Sequence, residues 1–126
     1  MIKDFLIFNF IGEENQIGLR INSDFYTHNF GKNTENDQLT LSVLNMIKKY
    51  KVKINDSFSI LVNIGPGSFS SLRTSIAVAK GIKISNKINL FGYKNSDLRQ
   101  FNLANIELLI KKKLVQKNLI KPIYLS

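Results

Sequence analysis

Residues 65–69, Gly-Pro-Gly-Ser-Phe, have the composition of a loop that could hold an anion. They separate the apolar run 58–64 from a helix-like stretch that begins near Phe69. Glycine permits backbone angles closed to other residues, proline fixes its own φ, and Ser68 can cap a helix. Because a helix N-terminus presents unpaired amides, this loop could contact an anion. The residues involved would be Gly65, Pro66, Gly67, Ser68 and Phe69.

The same five residues also suit a plain corner between a strand and a helix, in which Ser68 is only the cap. The functional interpretation adds Arg73, one helical turn further on, as a second contact to an anion or to a partner's backbone. Both interpretations remain open from the residues alone.

Carboxylates that could hold catalytic metal ions are scattered. Asp4 stands at the entrance of the first predicted strand, Asp56 precedes the fourth and Asp97 follows the fifth. Two-metal hydrolysis needs carboxylates that converge, so we predict neither a metal site nor nuclease activity. With no cysteine, and with His28 as the only histidine, thiol, zinc and histidine-triad mechanisms are excluded within this chain.

A nucleotide site in the first hairpin would need Asp, Gly, Thr or Ser, whose amides can wrap a phosphate. In residues 9–15 only Gly12 fits, and Glu13 and Glu14 would repel a phosphate at close range. We therefore expect no cofactor bound by this chain alone.

The formal charge of +9 is concentrated in the C-terminal part. Residues 1–70 carry seven basic and seven acidic side chains, whereas residues 71–126 carry eleven and two. Such a field attracts nucleic acid or an acidic protein surface, and we expect RNA contacts at a lysine cluster. Alternatively, a lysine-rich composition simply gives solvated helix faces. The cluster consists of Lys111, Lys112, Lys113 and Lys117.

A length of 126 residues and 44% apolar composition fit one domain with a hydrophobic core. No run of eighteen apolar residues occurs, and Asp4 interrupts the start of the chain where a signal peptide would continue apolar. We predict a cytoplasmic protein with no membrane partner.

Apolar periodicity predicts the elements βββαβαβ followed by a C-terminal helix. Short turns before residue 30 leave no room for an early crossover helix, so the first three strands should form an antiparallel meander. The prediction is an α/β fold with a mixed five-stranded sheet, the ribonuclease-H-like arrangement of actin and Hsp70 lobes; an ordinary doubly wound fold is the alternative. The predicted strands are 2–10, 16–21, 25–30, 58–64 and 88–93, and the helices are 37–50, 69–85 and 105–118, stopped by Pro122 before an extended end at 123–125.

The two central helices have faces suited to another helix. One face of 69–85 carries only small or β-branched residues, and 37–50 has a wide apolar arc, so a partner helix could approach closely. Contact between the two helices of the same chain is the alternative, and both can hold. The expected partner contacts are Leu39, Val43, Met46, Ile47, Phe69, Arg73, Thr74, Ala77, Val78 and Gly81.

The segment from Gly65 to Ile82 resembles the G-P-G-S-F-T-G-L-R-x-G-x-x-x-A-K-G-L stretch of the bacterial TsaB (formerly YeaZ) family. Residues 38–47 are similar to the family's first helix, and Lys121-Pro-Ile-Tyr-Leu125 is similar to its closing P-x-Y-L. Members are actin-like and non-catalytic. They pair with the catalytic paralogue TsaD, alongside the ATPase TsaE, to place threonylcarbamoyl on the adenosine beside the tRNA anticodon.

The resemblance thus implies a non-catalytic subunit that binds and activates TsaD through the two helices, with ATP, ADP and metal held only by partner subunits. A homodimer through the same helices is a further expectation. The alternative function is a small basic RNA-binding module derived from this family.

This chain departs from the family in three ways. It has Asn9-Phe-Ile11 where the family has D-T-S or D-T-A, which argues against nucleotide contact by that turn. Ser71 and Ser75 replace glycines. We also expect residues 1–126 to form a single lobe, reduced to the family's first actin-like lobe, with the second lobe absent.

Overall fold

Five strands and three helices make up the fold in a computed structural model, which describes residues 2–12, 14–31, 34–117 and 120–124. The order βββαβαβ and the additional C-terminal helix agree with the prediction. The elements are β1 Phe5–Asn9, β2 Asn15–Ile21, β3 Asp24–Phe30, α1 Asn36–Lys49, β4 Ser59–Asn63, α2 Phe69–Ser85, β5 Asn89–Tyr93, a 3₁₀ turn Asn95–Asp97 and α3 Leu103–Lys111.

The strands form one mixed sheet in the order β3-β2-β1-β4-β5. β1, β2 and β3 are antiparallel neighbours, whereas β4 lies parallel to β1 and β5 parallel to β4. Each parallel step requires a crossover connection, which α1 and α2 supply. This is the predicted ribonuclease-H-like arrangement, and it is confirmed.

Side chains alternate between the two faces of the sheet. Leu6 and Phe8 pack in a core with α1 and α2, while Phe5 and Ile7 pack in a second core with α3. β1 is buried on both faces, which agrees with the interior strand that its near-continuous apolar run predicts.

Local signals set the starts of the helices. Glu35 and Gln38 form a capping box at α1, in which the amide of Glu35 donates to Oε1 of Gln38 at 2.9 Å. Ser68 caps α2 by accepting from the amide of Ser71 at 3.4 Å. The helix spans Phe69–Ser85, which confirms the predicted bounds 69–85. Asn102 caps α3 in the same way, accepting from the amide of Asn105 at 2.9 Å.

The predicted helix 105–118 is wrong at its C-terminal end, because α3 stops at Lys111. The amide of Leu114 donates to the carbonyl of Leu109, and the amide of Lys113 to that of Ile110, which is a Schellman closure. Lys113 takes the left-handed conformation, at φ 58°, that usually marks a glycine. No glycine signals this helix end, and Pro122 has no part in it; Asn118 lies outside the described residues.

The chain then returns to the sheet. Gln116 forms an isolated β-bridge with Gly92 of β5, and Tyr124 forms one with Gly67. Within the described ranges, no helix is long and apolar enough to cross a membrane.

Candidate docking surface and the loop that supports it

The loop at 65–69 is held by the chain itself. The amide of Gly67 donates to the carbonyl of Ile123 at 3.3 Å, and the amide of Ser68 donates to the carbonyl of Ile11 at 3.0 Å. The amides of two loop residues are therefore already bonded. The anion interpretation of Gly67 and Ser68 is corrected in favour of the structural corner, because these donors have partners.

Two glycines are required by this packing. Gly65 is buried with φ +102°, and a Cβ there would collide with the carbonyl oxygen of Ile123. Gly12 has φ +118°, and a Cβ there would lie 2.8 Å from Oγ of Ser68. The turn of the first hairpin thus rests on the start of α2, and the other loop residue, Pro66, is exposed. Of the two acids expected to repel phosphate, Glu14 is exposed and Glu13 lies outside the described residues.

A buried polar network ties this loop to the ends of the three parallel strands. The side-chain amide of Asn63 donates to Oδ1 of Asn9 at 2.7 Å and to Oδ1 of Asn95 at 3.1 Å. Oδ1 of Asn63 accepts from the amide of Gly65 at 2.8 Å. The hydroxyl of Tyr93 donates to the carbonyl of Phe8 at 3.0 Å.

This network satisfies polar groups at the strand ends. Asn63 and Tyr93 are fully buried, and burial raises the pKa of the Tyr93 phenol well above its usual range. Sequence reasoning did not identify the network. The available signal was an asparagine that ends each of two otherwise apolar strands, Asn9 and Asn63.

The three candidate carboxylates lie apart. Asp4 is 3.7 Å from Arg20 and accepts from the amide of Asn22 at 3.3 Å. Asp4 and Asp56 lie before β1 and β4, whereas Asp97 follows β5, so parallel strands place it at the opposite end of the sheet. Among the described residues, no three acidic or histidine side chains are grouped to hold a metal ion.

The helix residues expected to contact a partner divide into two groups. α1 and α2 contact each other and both pack on the sheet, so part of each helix is consumed by the core. A partner cannot reach these buried side chains without opening the core, which corrects the expectation for them. They are Leu39, Val43, Met46, Thr74 and Val78, with Ile47 half-buried.

The other predicted contacts are exposed, and three further apolar side chains stand out beside them. Leu41 is 60% exposed, Leu44 57%, Phe69 56% and Ile84 87%. Leu41, Leu44 and Ile84 were not predicted as contacts, because an apolar side chain on an amphipathic helix is usually assigned to the core. We call this set the α1–α2 surface: Leu41, Leu44, Phe69, Arg73, Ala77, Gly81 and Ile84.

The C-terminal segment borders this surface. The ring of Tyr124 lies 4.7 Å from that of Phe69, and the guanidinium of Arg73 lies 5.8 Å from the Phe69 ring on the same helix. The loop, the segment and the start of α2 therefore form one packed unit. The contacts within this unit fix the position at which α2 begins after β4.

The predicted lysine cluster is exposed at the end of α3. Lys111, Lys113 and Lys117 line an open groove of about 1570 Å³, and Nζ of Lys117 lies 5.8 Å from the ring centre of Phe91. Lys112 is exposed as the C-terminal cap of α3. The groove also contains acids, including Glu107, so its charge is mixed.

Comparisons with known proteins identify a matching family model, a similar sequence and similar folds. The model of the TsaD family, described as tRNA N6-adenosine threonylcarbamoyltransferase, matches residues 33–97, just over half of the chain. A tRNA threonylcarbamoyladenosine biosynthesis protein TsaB from Buchnera aphidicola subsp. Schizaphis graminum (strain Sg) is 37% identical over 57 residues, which is 42% of this chain and 27% of that protein.

Solved structures show the same fold. YeaZ from Pseudomonas aeruginosa superposes with a TM-score of 0.63 at 20% identity, over 76% of this chain and 45% of that one. An uncharacterized protein with similarity to peptidase YEAZ, from Pseudomonas aeruginosa, gives 0.65 at 18% identity, over 76% and 44%. This chain spans less than half the length of the relatives that it matches. The chain belongs to the family of the TsaD model, and its fold is that of the YeaZ structures.

Proposed function

We propose that this chain is a non-catalytic subunit of the assembly that makes threonylcarbamoyladenosine in tRNA, and that it binds and activates a TsaD-like catalytic subunit through the α1–α2 surface. A TsaE-like ATPase would act in the same assembly, with ATP, ADP and metal held by the partner subunits.

The observation that carries the proposal is the exposure of four large apolar side chains on two adjacent helices. Leu41, Leu44, Phe69 and Ile84 are each more than half accessible to solvent. Transfer of such a side chain from water into an interface contributes about 1.5–3 kcal/mol. Large apolar side chains exposed together on neighbouring elements are a feature of protein interfaces.

The middle of α2 supports a helix as the occupant. Ala77 and Gly81 are exposed one turn apart, and a Cβ added at Gly81 would meet no described atom within 4 Å. Small side chains let two helix backbones approach closely. Glycine within a helix costs about 1 kcal/mol relative to alanine, which close packing against a partner would offset.

Co-purification with a TsaD-like protein tests the proposal. The wild-type chain should form a stable heterodimer at micromolar concentration and increase tRNA modification by that partner. Ala77→Arg should abolish pairing while leaving the unfolding transition cooperative, because the residue is exposed. Ala104→Arg makes the same change at an exposed alanine of α3 and should pair normally.

Failure of the wild-type chain to pair, or unchanged modification without it, would contradict the proposal. Equal pairing by both arginine variants would move the interface away from α2. A homodimer of the isolated chain that Ala77→Arg dissociates would show that a second copy occupies the same surface in the absence of TsaD.

The exposed lysines of the C-terminal part favour a second candidate function, binding of RNA by this chain alone. Cations on several phosphates release counterions, so the affinity should fall steeply with salt. Changing Lys111, Lys112 and Lys113 together to glutamate should abolish this binding. Salt-independent binding, or no binding at low salt, would contradict it.

A further inference from the structure

We infer that a small pocket beside β5, lined by Lys80, Lys83 and Lys117, is a phosphate site that seats one backbone phosphate of an RNA strand. The inference rests on the second candidate function, RNA binding, and is independent of pairing with TsaD. Of the predicted lysine cluster, Lys117 lines this pocket, and Lys111, Lys112 and Lys113 do not.

The pocket draws cations from separate parts of the chain. Lys80 and Lys83 come from the second half of α2, whereas Lys117 comes from the segment after α3. Its volume is about 280 Å³, at the lower limit of small-ligand pockets, which suits a single phosphate better than a whole nucleotide. The remaining lining residues are neutral: Asn89, Leu90 and Ile120.

One of the three ammonium groups is already held. Nζ of Lys83 donates to the carbonyl of Ile88 at 3.2 Å, whereas Nζ of Lys117 lies 5.8 Å from the ring centre of Phe91, which lines the large groove and not the pocket. An ammonium has three N–H donors, so Lys83 retains two for a ligand. Side chains that are held before binding lose less entropy when the ligand arrives.

All the charged residues that line the pocket are cationic. Lys80, Lys83 and Lys117 line it, and no carboxylate lines it with them. An anion in the pocket would be attracted to these side chains. A phosphate oxygen accepts hydrogen bonds from ammonium groups, and such charge-assisted bonds are among the strong ones.

A chain of phosphates fits better than a free one because further lysines line the mixed-charge groove beyond the pocket. Lys117 also lines the large groove, where Lys111 and Lys113 lie. A strand with one phosphate in the pocket could extend along the groove, past the half-buried Phe91. Free phosphate would gain the pocket contacts alone.

The test uses the full chain and a short fluorescein-labelled single-stranded RNA, with the anisotropy measured over a range of salt concentrations. The pocket variant is Lys80→Gln with Lys117→Gln, which keeps Lys83 and its bond to Ile88. The matched control is Lys48→Gln with Lys53→Gln, which removes the same charge from exposed lysines that do not line the pocket.

We expect the pocket variant to bind more weakly and to lose about 0.7 from the slope of log K against log salt, the contribution of one single-strand phosphate. The control should keep the wild-type slope. Equal losses in both variants would overturn the pocket but leave RNA binding in place. If the wild type does not bind RNA, both the RNA-binding function and the RNA phosphate site are overturned. If it then binds pyrophosphate although it does not bind RNA, the pocket is a site for a small phosphate compound.

Discussion

The amide of Ile123 donates a hydrogen bond to the carbonyl oxygen of Ile64 at 2.7 Å, where β4 enters its loop. The carbonyl of Ile123 in turn accepts from the amide of Gly67 at 3.3 Å. Residues close to the end of the described chain therefore complete the backbone bonding of a loop near its middle. This contact converts a loop that could have held an anion into a fixed support for α2.

Gly65→Ala should destabilise the protein by about 1–3 kcal/mol, because Gly65 has φ +102° and its new Cβ would collide with the carbonyl of Ile123. Urea denaturation measures this change in the free energy of unfolding. Gly31→Ala is the control, since a Cβ at Gly31 would meet no described atom within 4 Å, and its effect should stay within about 0.5 kcal/mol. Equal stabilities for the two variants would show that the segment at Ile123 does not close the loop.

Asn63→Ala should cost about 2–3 kcal/mol, because the fully buried side chain makes three hydrogen bonds of about 1 kcal/mol each, and all three are lost with it. The partners left behind are Asn9, Asn95 and the amide of Gly65. Asn45→Ala, at an exposed position of α1, provides a matched control with little expected effect. The comparison is made by thermal and urea unfolding, and a small effect at Asn63 would mean that water replaces the network.

The stability of the protein should fall at high pH through Tyr93. Burial raises the pKa of this phenol well above its ordinary value of about 10. Below about pH 10 the phenol is protonated in both the folded and the unfolded chain, so its contribution to the free energy of unfolding is complete. Above about pH 10 the unfolded chain loses this proton first, and the stability declines as the pH rises.

Tyr93→Phe should therefore be less stable at neutral pH by about 1 kcal/mol, since the bond to the carbonyl of Phe8 is lost, but should decline less steeply above about pH 10. Tyr124→Phe, at an exposed tyrosine, should decline as steeply as the wild type. Urea midpoints measured across the alkaline range decide the matter. Parallel curves for the wild type and Tyr93→Phe would contradict the assignment.

Gly81→Ala should have opposite effects on stability and on pairing. In the isolated chain, alanine at this exposed helix position should stabilise by about 1 kcal/mol. If a partner helix packs against Gly81, the added methyl should weaken the heterodimer with a TsaD-like protein. Thermal unfolding and titration of the pair measure the two effects, and unchanged affinity would place the partner elsewhere on the α1–α2 surface.

Element types were predictable because hydrophobic periodicity is a local property. The start of α2 was also predictable from neighbouring residues, since Ser68 and the residues after it contain the capping signal. The end of α3 was not, because its closure uses Lys113 in a conformation that glycine usually marks. The fate of the loop amides depended on Ile11 and Ile123, which are distant in sequence and carry no signal for that pairing.

The sequence by itself determined the family motif, the order of the elements, the apolar arcs of the helices and the concentration of positive charge in the C-terminal part. Only the tertiary structure decided which apolar residues of those arcs face the core and which face solvent. Leu39 is buried and Leu44 is exposed, although both are leucines on one helix. The physical reason is that burial depends on how α1 packs against the sheet and against α2, and the angle of that packing is set by contacts between distant parts of the chain.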